Sequence, residues 1–169
     1  MKHATTKTNM VRIWVLIALI CLGLPALAAV RLPSVFGDHM VLQRDRAVPV
    51  WGWAKAGEKV TVRFAGQEVA ATAAEDGHWQ VQLAAMPANA KAQELVVAGE
   101  NQITFQDVLV GDVWVCSGQS NMEWTVRSSM NAQQEIAAAN HPLIRHLKIP
   151  HNNQPAPVDD VKATWAVCN

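Results

Sequence analysis

The fold of this chain turns on Val113–Val126, "VWVCSGQSNMEWTV". It opens on four apolar residues, becomes polar at Ser117-Gly118-Gln119-Ser120-Asn121, and is mixed thereafter. With the residues before it, Val108-Leu-Val-Gly-Asp-Val-Trp-Val-Cys116 is nearly continuously apolar. Such a run predicts a strand covered on both faces. Downstream, Asn131 to Ala139 is rich in Ala and Gln and has Asn140 placed to end it, which predicts a helix. A buried strand, a turn of small residues carrying serine, and a following helix is the general arrangement of a hydrolase nucleophile. The turn projects the hydroxyl above the sheet edge, and loop N–H groups lie where an oxyanion would develop. A plain strand and turn, with serines satisfying backbone groups, fits the same pattern and is the simpler reading on spacing alone. The G-x-S-x-G elbow needs a second glycine, and Met122 stands in its place.

Upstream, from Val30 to about Val110, short strands alternate with turns. Ala47–Trp53 places Val48, Val50 and Gly52 on one side, and Ala47, Trp51 and Trp53 largely on the other. Lys59–Phe64 alternates polar and apolar, Ala65-Gly66-Gln67 reads as a turn, and Glu68–Ala74 as its hairpin partner. Glu75-Asp76-Gly77 is a further turn, followed by the alternating His78–Leu83. Glu94–Ala98 and Gln102–Val108 flank Gly99-Glu100-Asn101. Strands at this spacing predict a small antiparallel β-sandwich over residues 29–109. Residues 110–169 read as the beginning of an α/β domain: after the helix, His141-Pro142 breaks the chain, and strands are expected over Leu143–Ile149 and Ala163–Cys168. Sixty residues are too few to close a doubly wound sheet, and the chain stops at Asn169 directly after an apolar run, so a fragment is expected.

Residues 1–28 differ from the rest. Lys2, Lys7 and Arg12 precede the uncharged apolar run Ile13–Leu24, and no acid occurs before Asp38. Pro25 and the small-residue site Ala26-Leu27-Ala28 follow, the order of a secretory signal peptide cut after Ala28. An uncleaved anchor is the rival, since Ile13–Val30 is uncharged throughout. Cleavage predicts an exported protein, periplasmic or extracellular, that no longer holds to the membrane. It leaves 11 basic and 14 acidic side chains, and no basic block is present, which argues against a nucleic-acid partner. Cys116 and Cys168 remain; in an oxidising compartment they could pair, and two free thiols are the equal alternative.

The residues around the serines are more specific than their spacing. "VWVCSGQSNMEW" closely resembles the nucleophile block of sialate O-acetylesterases and related bacterial carbohydrate esterases, within the SGNH or GDSL-like hydrolases. "LPSVFGDHMVLQRDRAVPVWGWAKAGEKVTV" resembles the N-terminal β-domain of that family, and "IRHLKIPHNNQPAPVDDVKATWAVCN" the segment after the nucleophile. The resemblance covers nearly all of residues 32–169. It implies a β-sandwich followed by the start of an SGNH-type, flavodoxin-like α/β domain. Ser120 matches the nucleophile, with its own N–H contributing to the oxyanion hole, and Gly118, Gln119 and Asn121 match the turn-shaping positions. Ser117 reads as a turn residue and Glu123 as a local hydrogen-bonding residue. Thr125 stands where proline is often expected.

The resemblance also implies an O-acetylated sialic acid or glycan substrate, with acetylxylan or another polysaccharide ester as the near alternative. It implies no cofactor and no metal. A serine hydroxyl needs a base to take its proton. In the family an Asp/His pair lies far downstream, and no such block occurs here before Asn169. The chain by itself is therefore expected to be inactive. His141, His146 and His151, spaced by five, suit neither a helical metal face nor that block, and with His39 and His78 they read as surface or structural. A non-catalytic carbohydrate-binding β-module, using Trp51, Trp53 or Trp79 to stack on sugars, is the reading from another class; packing is the commoner use of strand tryptophans.

Overall fold

The computed structural model describes residues 29–151 and 153–169; the expected signal peptide lies outside the described residues. The chain runs through β1 (Val41–Gln43), β2 (Val48–Trp53), β3 (Lys59–Phe64), β4 (Gln67–Thr72), β5 (His78–Leu83), β6 (Asn89–Ala98) and β7 (Gln102–Gly111). Then come two short 3₁₀ turns, the helix α1 (Ala132–Ala138), β8 (His141–Leu147) and β9 (Trp165–Cys168).

Period-two burial builds the first seven strands. Val48, Val50 and Gly52 on β2 face Leu83, Val81 and Trp79 on β5, and all six are buried. Gly52 has a steric reason to be glycine. A Cβ there would lie 2.2 Å from the Arg31 carbonyl oxygen, because Arg31 and Trp53 exchange two 2.9 Å backbone hydrogen bonds beside it. On β3, Val60, Val62 and Phe64 point inward, joined by Leu95 and Val97 of β6 and Val108 and Val110 of β7. β3 and β4 meet at Ala65-Gly66, both with positive φ, the two-residue turn whose twist suits a hairpin.

The sheet order is β1-β7-β6-β3-β4, and β2 and β5 form a separate ribbon whose buried side chains share the same core. Gln67 at the start of β4 closes the curl: its amide accepts from Ala84 N at 2.7 Å and donates to the Ala84 carbonyl at 3.3 Å, just past β5. The expected all-antiparallel pairing needs one correction. β1 runs parallel to β7, pairing Val41 with Leu109 and Gln43 with Gly111, so the sheet is mixed.

The second correction concerns the opening stretch. Val108, Leu109 and Val110 are buried in succession, as a strand covered on both faces requires, but β7 ends at Gly111. Val113–Cys116 forms no regular element and has no ladder partner among the described residues, with Trp114 83% and Val115 92% exposed. Its apolar pattern calls for neighbouring strands, and no described segment supplies them. The start of an α/β domain is therefore not formed here as a layered sheet. Residues 112–169 instead give an irregular segment, α1 and the two-stranded β8–β9 sheet, and the buried apolar core ends at Val110.

Beyond the segment where the chain leaves β7, hydrogen bonds tie this second part to the first. The Trp165 indole N–H donates to the Val35 carbonyl at 2.9 Å. Ser34 N donates to Asp160 Oδ1 at 2.7 Å. Arg145 of β8 reaches Asp107 of β7 with both terminal nitrogens, at 2.5 and 3.2 Å.

Candidate active site

The segment carrying the candidate nucleophile is gripped where it leaves the sheet. Gln43 Oε1 at the end of β1 accepts from Val113 N at 2.8 Å. Arg44 donates through its backbone N–H to the Gly111 carbonyl and through Nε to Asp112, both at 2.9 Å. The hydrogen bond and charge of Asp112 hold the Arg44 guanidinium above its ordinary pKa. Beyond Val113 the chain runs exposed through Cys116, Ser117 and Gly118.

Ser120 opens the first 3₁₀ turn, Ser120–Glu123, and is exposed. Gln119 precedes it in extended conformation, and its carbonyl accepts from Met122 N at 2.9 Å. The N–H groups of Ser120 and Asn121 are left out of the turn's backbone hydrogen bonding, as at the start of any helix. Gly118 serves close packing: a Cβ there would sit 2.7 Å from Met122 Cγ. Gly118, Gln119, Ser120 and Asn121 are thus one contiguous exposed turn. No described residue shares a hydrogen bond with the Ser120 hydroxyl. The helix expected over Asn131–Ala139 forms as α1, Ala132–Ala138, and a second 3₁₀ turn, Val126–Ser128, lies between it and the serine turn, with Ser129 Oγ donating to the Thr125 carbonyl at 3.2 Å.

Two polar constellations escaped sequence reasoning. Glu123, in the turn of Ser120, pairs with His151 Nε2 and so ties that turn to the loop after β8. Asp107 accepts from Arg145 and shares a 2.7 Å contact with His39 Nδ1. These contacts, Arg145 first and His39 second, hold the Asp107 carboxyl below the ordinary carboxylate range. Asp107 and His39 both take left-handed backbone conformations, with φ of 55° and 67°. Asp and His are among the residues that tolerate it, and neither segment carries a sequence pattern that announces the contact.

Cys116 and Cys168, the pair weighed as a disulfide, are separate free thiols. Cys116 lies in the exposed irregular segment, whereas Cys168 ends β9 opposite His141. The three tryptophans weighed as sugar platforms are engaged in packing: Trp79 is buried, Trp51 meets Phe36 edge to face at 4.8 Å, and Trp53 lies under Arg31 while donating to His78 Nε2 at 2.9 Å.

No protein-family model matches the chain. Curated relatives do. The sialate O-acetylesterase of Homo sapiens is 37% identical over 118 residues, 63% of this chain and 23% of that protein. The rat protein is 36% identical over the same length, and that of Pongo abelii 33% identical over 145 residues, 79% of this chain and 28% of that one. A crystal structure of a carbohydrate acetylesterase from Xanthomonas citri superimposes with a TM-score of 0.79 at 35% identity, covering 82% of this chain and 32% of the other. The chain thus spans about a quarter of the length of the curated relatives it matches. On these likenesses in sequence and in fold, the chain belongs to the sialate O-acetylesterase family of carbohydrate esterases.

Proposed function

We propose that this chain carries the nucleophile-bearing part of an exported serine esterase that removes O-acetyl groups from sialic acids or related glycans. One observation supports it above the others. Ser120 stands exposed at the head of a tight turn, inside the block that resembles the family nucleophile, with the adjacent N–H groups of Ser120 and Asn121 unused by the turn. Ser120 Oγ attacks the acetyl carbonyl while a base takes its proton, and N–H donors hold the tetrahedral oxyanion. The sugar oxygen leaves with a proton and the acetyl group stays on Ser120. Water then adds and releases acetate. In this reading residues 110–169 begin the SGNH-type α/β domain, and the sandwich of residues 29–109 is its companion.

The base is what the described residues do not bring to Ser120. His151 bonds Glu123 and His39 bonds Asp107, and neither shares a hydrogen bond with Ser120. Residues 29–169 alone therefore turn over no ester. That same observation favours a second reading for the chain in isolation, a non-catalytic glycan-binding module. The packing of Trp51, Trp53 and Trp79 counts against it: Trp79 is buried, Trp51 packs on Phe36, and Arg31 lies over the Trp53 ring.

The test is hydrolysis of an aryl acetate and of O-acetylated sialic acid by the purified chain, beside Ser120→Ala. Activity at background in both is expected, and so is an unchanged Tm, since Ser120 is exposed. Turnover that disappears in Ser120→Ala would show a complete site and overturn the inactivity. Glycan affinity lost on changing Trp53 but kept in Ser120→Ala would favour the binding module.

A further inference from the structure

We infer that the cleft between residues 31–39 and the start of β9 binds an acidic sugar, a saccharide unit carrying one carboxylate. That the ligand is a saccharide rests on the esterase reading; the cleft and its charge are observed independently of it.

Two hollows make up the cleft. One, of about 450 Å³, lies among Ser34, Lys148, Lys162 and Thr164. The other, of about 740 Å³, continues from Ser34 and Thr164 to Arg31, Phe105 and Trp165. They share Ser34, Ala163 and Thr164 and so form one trough, and each has the volume of a small-molecule site. Its two sides are pinned to each other: Ser34 N donates to Asp160 at 2.7 Å, and the Trp165 indole N–H to the Val35 carbonyl at 2.9 Å. Ser120 lines neither hollow.

Charge says what enters. Lys148 and Lys162 make no ion pair among the described residues. The acid beside them, Asp160, accepts from Ser34 N and Val161 N. Two ammonium groups against one carboxylate leave a single positive charge at this end, and the walls of a cleft concentrate its field. That suits a monoanion. A phosphate dianion would be only half matched, and this hollow holds neither a helix N-terminus nor an arginine fork to complete the match. The other end is balanced. Arg31, held 3.8 Å over the Trp53 ring, stands with Asp38, whose Oδ1 accepts from Gln106 N at 2.7 Å, and His39 is engaged with Asp107. Half-buried Ile103, Phe105 and Trp165 make one wall there apolar. A pyranose ring with one exocyclic carboxylate answers both ends: its C–H face meets the apolar wall, its hydroxyls meet the Ser and Thr hydroxyls, and its charge meets the lysines.

The experiment titrates the purified, isotope-labelled chain by NMR with sialyllactose, which carries one carboxylate and no O-acetyl ester, beside lactose and inorganic sulfate. Saturable shifts of the Ser34 and Thr164 amides and of the Trp165 indole N–H are expected, with a Kd on the order of 1 mM. The double variant Lys148→Gln, Lys162→Gln changes two exposed side chains and keeps the fold, and it is expected to weaken binding by about tenfold. Lactose is expected to bind more weakly by at least about the same factor. An absent shift with sialyllactose overturns the proposal. So does equal affinity for lactose, equal affinity in the double variant, or the same shifts at the same concentration of sulfate, which would mark a bare anion site. Binding is also read in Ser120→Ala, where it is expected unchanged. The probe has no ester to cleave, so a failed titration leaves the esterase reading standing, and absent Ser120-dependent turnover leaves the cleft standing.

Discussion

Replacing Asp107 with asparagine isolates the electrostatics of the joint between the sheet and the β8–β9 hairpin. The side chain keeps its shape, and asparagine tolerates the left-handed backbone found here, φ 55°. What changes is charge. The Arg145 side chain is only 5% exposed, its two terminal nitrogens both lie on Asp107, and its Nε has no partner. Without the carboxylate the guanidinium is buried with no counter-charge. Removing one partner of a fully buried pair costs roughly 3–5 kcal/mol. Asp107 is 29% exposed and the amide oxygen retains an acceptor, so about 2–3 kcal/mol is expected. For a chain of this size that lowers Tm by roughly 6–12 °C. Arg145→Met, which removes the buried charge, should cost less. The double variant should recover part of the loss, giving a coupling of about 2 kcal/mol.

The pH dependence carries a sign that packing alone would not produce. Arg145 first, then His39, hold the Asp107 carboxyl below its ordinary value in the folded protein, whereas the unfolded chain titrates near about 4. A depressed carboxylate adds stability that is fully present above the unfolded pKa and lost as pH falls through the folded one. The Tm gap between the native chain and Asp107→Asn should therefore be full at pH 7 and narrow below about pH 4. Calorimetry from pH 7 to 3 checks this. Equal Tm at pH 7, or a gap that stays constant down to pH 3, would refute the reasoning.

Two further outcomes follow from the same structure. Gly52→Ala sets a Cβ 2.2 Å from the Arg31 carbonyl oxygen and 3.0 Å from Trp79 Cζ2, so thermal melts should show a loss of about 3 kcal/mol, while Gly57→Ala, with open space around it, costs only its positive-φ strain of about 1 kcal/mol. Cys116 is an exposed free thiol, so iodoacetamide should label it in the native protein; a Cys116–Cys168 linked peptide in a non-reducing digest would contradict the two free thiols.

What could be read from the residues follows how local the burial is. Lys59–Phe64, its Ala65-Gly66 turn and His78–Leu83 lie close to where alternation places them, because each strand buries one face against near neighbours and the period records it. β1 left no such trace: three residues set no period, and its partner β7 lies at the far end of the sandwich. The Glu123–His151 and Asp107–Arg145 contacts join polar side chains distant in sequence, which leaves no pattern in either segment. Val113–Cys116 is the instructive case. Its composition states a requirement for cover on both faces, and the structure leaves that requirement unmet. An apolar pattern reports what a segment needs, not which chain supplies it. Before Gly111 the need and the supply coincide within one core; after it they part, and they part around the turn that carries Ser120. The exposed segment leads directly into the exposed turn of Ser120, so on the proposed esterase reading the missing cover of Trp114 and Val115 and the missing base for Ser120 concern the same stretch of chain.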